Sequence, residues 1–138
     1  MRIYLYFMGK PRDEHANAMA AEYVKRVSRF AKCEMREVGE KFDLFGKHAP
    51  ARKVMLDPAG RMMTSQEFAT FLSRHEDEGR DVVFGVGGHD GLPEAWRSRA
   101  DLLLSLSAMT WPHELARAML AEQIYRAFTI LRGHPYPR

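Results

Sequence analysis

The chain has 138 residues, of which 46% are hydrophobic and 28% charged, and these values are typical of one globular domain. The net charge of +3 permits a phosphate-rich partner but does not require one. A single cysteine, Cys33, excludes an internal disulfide framework and a cysteine-based zinc site. No apolar run approaches the length of a transmembrane helix and no signal peptide is visible, so we expect a cytoplasmic protein.

Strand and helix patterns alternate in the first part of the chain. Residues 1–8 are β-branched and aromatic, which predicts a strand. Residues 12–32 carry an apolar stripe at three- and four-residue spacing, which predicts a helix. A short alternating segment at 34–38 predicts a second strand. Residues 41–51 have no clear period, so we expect a loop there.

The middle of the chain contains strong boundary signals. The apolar residues 54–56 predict a strand, which ends at the turn Asp-Pro-Ala-Gly, residues 57–60. Thr64 and Glu67 have the spacing of a capping box, which predicts a helix from Ser65 to about Glu78. The glycine that follows this helix is expected to stop it.

The last part continues the alternation. Residues 81–86 predict a buried strand, a glycine-rich turn follows, and residues 93–99 predict a short helix. Residues 102–104 predict another buried strand, and a long helix extends from Pro112 to Arg132 and ends before a glycine. The order β-α-β-β-α-β-α-β-α predicts an α/β fold, a mostly parallel sheet with helices on both faces.

The glycine-rich turn from Gly85 to Gly91 follows a strand, where open α/β sheets bind their ligands. It is not a dinucleotide-binding motif, because Asp90 occupies the position of the third glycine. The turn is therefore either a ligand contact or only a tight turn. Asp57 and Asp90 both follow strands and could be catalytic, although carboxylates in such turns more often accept backbone N–H bonds.

Metal-dependent and triad hydrolase chemistry find no support in the motifs. His113 and Glu114 begin an HExxH pattern, but the fifth residue is Arg117, and no GxSxG motif is present. No pair of histidines has a convincing metal-ligand spacing. Seven basic residues could line an RNA surface, although a solvated face explains them as well: Lys10, Arg12, Lys25, Arg26, Arg29, Arg52 and Lys53.

The C-terminal segment, residues 133–138, combines an imidazole, a phenol and a guanidinium, those of His134, Tyr136 and Arg138. Two prolines stiffen this tail, which lowers the entropic cost of docking it. We therefore expect a docked tail rather than a frayed terminus.

Four segments carry a family resemblance: LDPAGRMMTSQEFA at 56–69, GVGGHDGL at 85–92, LSLSAMTWPHELARAMLAEQIYRAF at 104–128, and the Gly-His-Pro-Tyr ending. Together they resemble the large-subunit rRNA pseudouridine methyltransferase family (RlmH), which are SPOUT-class enzymes. The resemblance covers nearly the whole chain, so it implies one SPOUT domain over residues 1–138. Its most specific part is SLSxMTxPHxLxRxxLxEQxYRA followed by the GxPY tail.

The resemblance implies a trefoil knot near the C-terminus, S-adenosylmethionine (SAM) in the knotted cleft and an obligate homodimer, whereas the scattered histidines predict no metal site. It implies methyl transfer to N3 of a pseudouridine in helix 69 of 23S rRNA within assembled ribosomes. The implied SAM contacts are Leu56, Gly87, Leu106, Ser107, Ala108, Met109, Thr110 and Trp111, and we expect the last residues of the chain to fold over this pocket. An attacking imide nitrogen must lose a proton, and His134, Tyr136 and Arg138 are the candidates for holding the nucleotide and easing that loss.

The chain departs from the family in two places. Family tails read Tyr-His-Arg or Tyr-His-Lys, whereas Pro137 stands here between Tyr136 and Arg138. Only about fifteen residues separate Val38 from Val54, so we expect the family's extra helix between the second and third strands to be absent. Two alternatives remain open: a non-catalytic ribosome- or RNA-binding relative with an altered tail, and a metabolite-binding domain unrelated to RNA.

Overall fold

The structure, a computed structural model, describes residues 1–137. The strands are β1 (Arg2–Phe7), β2 (Lys32–Glu37), β3 (Arg52–Met62), β4 (Val82–Val86) and β5 (Leu102–Ser105). The helices are α1 (Glu14–Val27), α2 (Leu44–Lys47), α3 (Ser65–Glu78), α4 (Glu94–Arg99) and α5 (His113–Arg132). No helix in this part of the chain is long and apolar enough to span a membrane.

The strands form one parallel sheet in the order β2-β1-β4-β3-β5. Successive side chains of a strand point to opposite faces, so Leu5 and Tyr6 of β1 enter two different apolar clusters. The cluster around Leu5 packs beneath α1, α3 and α5, and the cluster around Tyr6 packs beneath α2 and α4. The predicted α/β fold with helices on both faces of a parallel sheet is confirmed.

Local signals in the sequence set the ends of α3. The Thr64 hydroxyl accepts the backbone N–H of Glu67 at 3.1 Å, and the Glu67 carboxylate accepts the backbone N–H of Thr64 at 2.8 Å. At the other end Gly79 has a φ of +65°, a left-handed conformation that favours glycine. Gly133 ends α5 in the same conformation, so both predicted helix stops are confirmed.

The expectation of a loop at residues 41–51 is wrong at one point. The one-turn helix α2 lies within this segment, and the Asp43 carboxylate accepts the backbone N–H of Gly46 at 3.0 Å to begin it. Leu44 and Phe45 are both buried in the second cluster. This turn forms because its two apolar residues are covered by the sheet, a contact that the local sequence pattern does not reveal.

The other differences concern the lengths of elements. The first helix covers residues 14–27 rather than 12–32, and Pro112 precedes α5 as its N-cap instead of being its first residue. The third strand continues beyond the predicted turn because both Leu56 and Arg61 pair with Leu104 of β5. The Asp-Pro-Ala-Gly turn is therefore a large bulge inside β3, and it bends the chain where the strand ends meet.

Candidate functional site

A cleft of about 420 Å³ lies where the carboxyl ends of β3, β4 and β5 meet the first turn of α5. This volume is within the range of small-molecule sites in proteins. The parallel topology explains the position, because neighbouring strands with the same direction end at the same edge of the sheet. Apolar side chains such as Val86, Leu92 and Leu104 form much of the wall, and a few polar groups converge on it.

The cleft brings together most of the residues that the family resemblance assigned to the cofactor. Those that line it are Leu56, Gly87, Leu106, Ser107, Thr110 and Trp111. Ala108 and Met109 belong to the same loop but do not line the cleft, and Met109 is 75% exposed. The structure thus gathers three distant segments of the chain into one wall.

Backbone forms the wall at Gly87. A Cβ atom added at this position would contact the carbonyl carbon of Gly91 and would lie 2.6 Å from the backbone nitrogen of Leu92. Gly91 itself has a φ of +84°, which favours glycine. No side chain fits at position 87 without moving the turn, so this part of the cleft wall is main chain packed against main chain.

The loop between β5 and α5 is held by its own serines. The Ser105 hydroxyl donates to the carbonyl oxygen of Ser107 at 2.9 Å, and the Ser107 hydroxyl accepts the backbone N–H of Met109 at 3.0 Å. Trp111 follows this loop and keeps 38% of its surface exposed at the mouth of the cleft. A fixed backbone beside an open aromatic ring suits a flat, partly polar ligand.

Asp57 is a turn residue with partners on both oxygens. Its Oδ1 accepts the backbone N–H of Ala59 at 2.8 Å, as the turn interpretation predicts. Its Oδ2 forms an ion pair with the guanidinium of Arg97, another residue of the cleft. Because Asp57 is 5% exposed and bonded to both Ala59 and Arg97, its carboxylate stabilises the bulge.

His113 lines the cleft, although its sequence context indicated only an incomplete HExxH metal motif. Its ring makes no hydrogen bond with any residue among 1–137. Burial, together with the positive charge of Arg117, lowers the pKa of His113 below that of an ordinary histidine. A neutral imidazole with no hydrogen bond to the described part of the protein therefore faces the cleft. The sequence signal that could have identified His113 as a cleft residue was its position at the first turn of α5, directly after the predicted cofactor loop.

The tail is docked, as predicted, but not over the cleft of its own chain. The Tyr136 hydroxyl donates to Glu122 Oε2 at 2.9 Å and lies 3.1 Å from the hydroxyl of Tyr23. Burial and these contacts raise the pKa of Tyr136. The ring of His134 meets Phe30 edge-on with 6.4 Å between centroids. For residues 133–137, the expectation that the tail covers the cleft of the same chain is therefore wrong.

The tail continues along α5 as far as the structure describes it. Arg126 Nη1 donates to the carbonyl oxygen of Pro137 at 2.6 Å, and the Arg126 guanidinium lies 5.0 Å from the centre of the Tyr136 ring. The third catalytic candidate, Arg138, lies outside the described residues.

The seven basic residues considered for an RNA surface do not act as one group. Arg26 pairs with Glu22 at 2.8 Å, and the Arg52 side chain donates to the His75 ring at 3.2 Å. Lys53 is buried, and its ammonium donates to the Ala49 carbonyl oxygen. Among residues 1–137, no group of three or more His, Cys, Asp or Glu side chains could hold a metal ion.

A parallel α/β sheet with a ligand-sized cleft at its carboxyl edge is typical of a domain that binds a small molecule at its strand ends. The model of the family described as "Predicted SPOUT methyltransferase" matches residues 1–137. A curated relative from Solibacter usitatus, named Ribosomal RNA large subunit methyltransferase H, is 65% identical over 139 residues, with 100% of each chain covered. A protein of the same name from Thermus thermophilus is 44% identical, with 100% of this chain and 99% of that protein covered.

A solved structure shows the same fold at low sequence identity. The SpoU methyltransferase AviRb from Streptomyces viridochromogenes, in complex with the cofactor AdoMet, superposes with a TM-score of 0.58 at 12% identity. The match covers 91% of this chain and 57% of that one. On these findings the chain belongs to the SPOUT methyltransferase family, within the group named Ribosomal RNA large subunit methyltransferase H.

Proposed function

We propose that this protein transfers a methyl group from SAM to N3 of a pseudouridine in helix 69 of 23S rRNA, within assembled ribosomes of the cytoplasm. The observation that carries the proposal is the cleft, into which three distant segments of a methyltransferase chain bring most of the expected cofactor contacts. We further propose that residues 1–138 form one domain with a trefoil knot near its C-terminus and that the active form is a homodimer.

The cleft residues fit SAM. A volume of about 420 Å³ suits a nucleoside with a short amino-acid arm. Leu56 and Leu106 offer apolar surface for an adenine ring, and the backbone at Gly87 and in the loop of residues 106–111 offers N–H and C=O groups for its edge. SAM, when bound, supplies a methyl group on a positively charged sulfur.

The chain's own residues would provide alignment and a place for one proton. Holding donor and acceptor in a fixed geometry can replace most of the entropic cost of bringing them together. The imide nitrogen must lose its proton, and His113 is the neutral imidazole that lines the cleft. We propose His113 as the acceptor of that proton, either directly or through a water molecule.

The homodimer proposal follows from where the tail lies. His134 and Tyr136 contact α1 and α5 of their own chain and do not reach its cleft. If they hold the substrate nucleotide, together with Arg138, the cleft they serve belongs to a second copy of the chain. Met19, on the outer side of α1, is 51% exposed, and such apolar surface is suited to an interface.

One observation favours the non-catalytic alternative. Pro137 replaces the histidine of family tails, and its carbonyl oxygen accepts a hydrogen bond from the Arg126 guanidinium. A tail that has become only a packing segment would preserve the fold and RNA binding without supporting methyl transfer. Restoring the family residue with Pro137→His would then raise an otherwise negligible activity.

Two measurements test the proposal together. Calorimetric titration with SAM should show one saturable site, and labelled SAM should transfer its methyl group to ribosomes that lack the modification. Binding of SAM without transfer, corrected by Pro137→His, would favour the non-catalytic relative. Absence of SAM binding would overturn the proposed function.

A further inference from the structure

The loop of residues 8–13, which joins β1 to α1, lies directly beside the cleft. The backbone N–H of Met8 donates to the carbonyl oxygen of Val86, a cleft residue, at 3.2 Å. A Cβ atom added at Gly9 would lie 3.8 Å from Gly88 Cα and 3.8 Å from His113 Nε2, and both residues line the cleft. The 8–13 loop is therefore continuous with the cleft rim.

Two charged residues of α5 hold this loop. The fully buried Arg117 donates to the carbonyl oxygens of Met8 at 2.8 Å and Gly9 at 3.2 Å. The Glu114 carboxylate accepts the backbone N–H groups of Arg12 at 2.6 Å and Asp13 at 2.9 Å. Both ends of the loop are thus fixed to the helix that forms one wall of the cleft.

The loop presents two cations that have no partner in the part of the chain that the structure describes. Lys10 and Arg12 are exposed, and neither side chain forms an ion pair or a hydrogen bond with residues 1–137. The neighbouring acids are already engaged: Asp13 accepts the backbone N–H of Ala16, and Glu114 holds the loop. Pro11 between the two cations restricts the backbone further.

We propose that the 8–13 loop is the phosphate-binding edge of the substrate site, where Lys10 and Arg12 contact the RNA backbone next to the target nucleotide. This inference rests on the proposed function, because it takes RNA as the substrate. Fixed cations beside a cleft suit phosphate contacts, which position a nucleic acid without reading its sequence. Because α5 already holds the loop in place, RNA binding should cost little conformational entropy of the loop backbone.

The test compares two double variants that remove the same charge. Lys10→Gln with Arg12→Gln removes the proposed contacts, and Lys25→Gln with Arg29→Gln removes two exposed charges near the far end of α1. Ribosome association is measured over a range of salt concentrations, SAM affinity by calorimetry, and methyl transfer with the wild-type chain in parallel. Lys10→Arg serves as the conservative variant.

The loop variant should bind ribosomes more weakly. The slope of the logarithm of its association constant against the logarithm of salt concentration should become shallower by about 2, because each phosphate contact that is lost reduces the steepness by about one unit. Its SAM affinity should equal that of the wild type, while the Lys25/Arg29 variant and Lys10→Arg should keep the wild-type slope.

The inference would be overturned if both double variants lost ribosome affinity equally, or if neither lost any. In that case methyl transfer by the wild-type chain would still support the proposed function. Weaker SAM affinity in the loop variant would assign the cations to the cofactor carboxylate and also overturn the inference. A wild-type chain that neither binds ribosomes nor methylates them would overturn both proposals.

Discussion

The first turn and the middle of α5 differ in how their polar side chains are hydrogen-bonded. At the first turn His113 faces an open cleft and makes no hydrogen bond with residues 1–137. Nine residues further on, roughly 14 Å along the helix axis, Glu122 accepts from Tyr136 and pairs with Arg126 at 2.6 Å. The first turn is suited to bind a ligand, and the middle of the helix binds the chain's own tail.

Arg117 and Glu114, in the first two turns of α5, form a third arrangement that differs from both. Both are charged and lie within one turn of the cleft, yet they contact backbone rather than the cleft interior. A charged side chain near a ligand site can therefore act by fixing the loop beside it. Substitutions that remove one role at a time should therefore have effects of different size.

Arg117→Met should have the largest effect, because it removes a fully buried guanidinium and leaves the carbonyl oxygens of Met8 and Gly9 without their donor. We expect the free energy of unfolding in urea to fall by about 3 kcal/mol. Arg29→Met, at an exposed position, is the control and should change it by less than about 0.5 kcal/mol. A loss as small as that of the control would mean that Arg117 does not hold the 8–13 loop.

Gly87→Ala tests the backbone wall of the cleft. The added methyl group would displace the turn at Gly91, so SAM affinity should fall by about tenfold, which corresponds to about 1.4 kcal/mol. Gly39→Ala is the matched control, because a Cβ there would meet nothing within 4 Å. Calorimetry on both variants, with circular dichroism to confirm folding, gives the comparison. Unchanged affinity in Gly87→Ala would remove this turn from the cofactor site.

Tyr136→Phe tests whether the contact between the tail and the middle of α5 contributes only to stability. The variant loses the hydrogen bond to Glu122, so the free energy of unfolding should fall by about 1 kcal/mol. SAM affinity should not change, because Tyr136 does not line the cleft of its own chain. If methyl transfer drops far more than the loss of stability explains, the phenol acts on substrate in a second copy of the chain.

Glu114→Gln should have the smallest effect, seen in the pH dependence of stability. The backbone N–H of Arg12, which the carboxylate accepts, lowers the pKa of Glu114, and the N–H of Asp13 acts in the same direction. A carboxyl whose folded pKa is lowered contributes stability at neutral pH. That contribution is lost as the pH falls below the ordinary glutamate value of about 4.3 and through the lowered folded value. The difference between wild type and Glu114→Gln in urea unfolding should therefore shrink on acidification. A pH-independent difference would contradict this account.

Local sequence determined much of this protein. Thr64 and Glu67 predicted the start of α3 because a capping box involves neighbouring residues alone, and the glycine stops are local for the same reason. Alternation of strands and helices predicted the parallel sheet, and a parallel sheet places its strand ends at one edge. The position of the cleft followed from that rule, and the sequence motifs identified the family to which the chain is similar.

Tertiary structure alone decided which distant groups meet. Nothing near Arg117 in sequence shows that it donates to the carbonyl oxygens of Met8 and Gly9, and nothing near Leu44 shows that the sheet covers it. The docking place of the tail likewise depends on Tyr23 of α1, more than a hundred residues away in the chain. Contacts of this kind depend on the packed arrangement of whole elements, which periodicity and spacing do not encode.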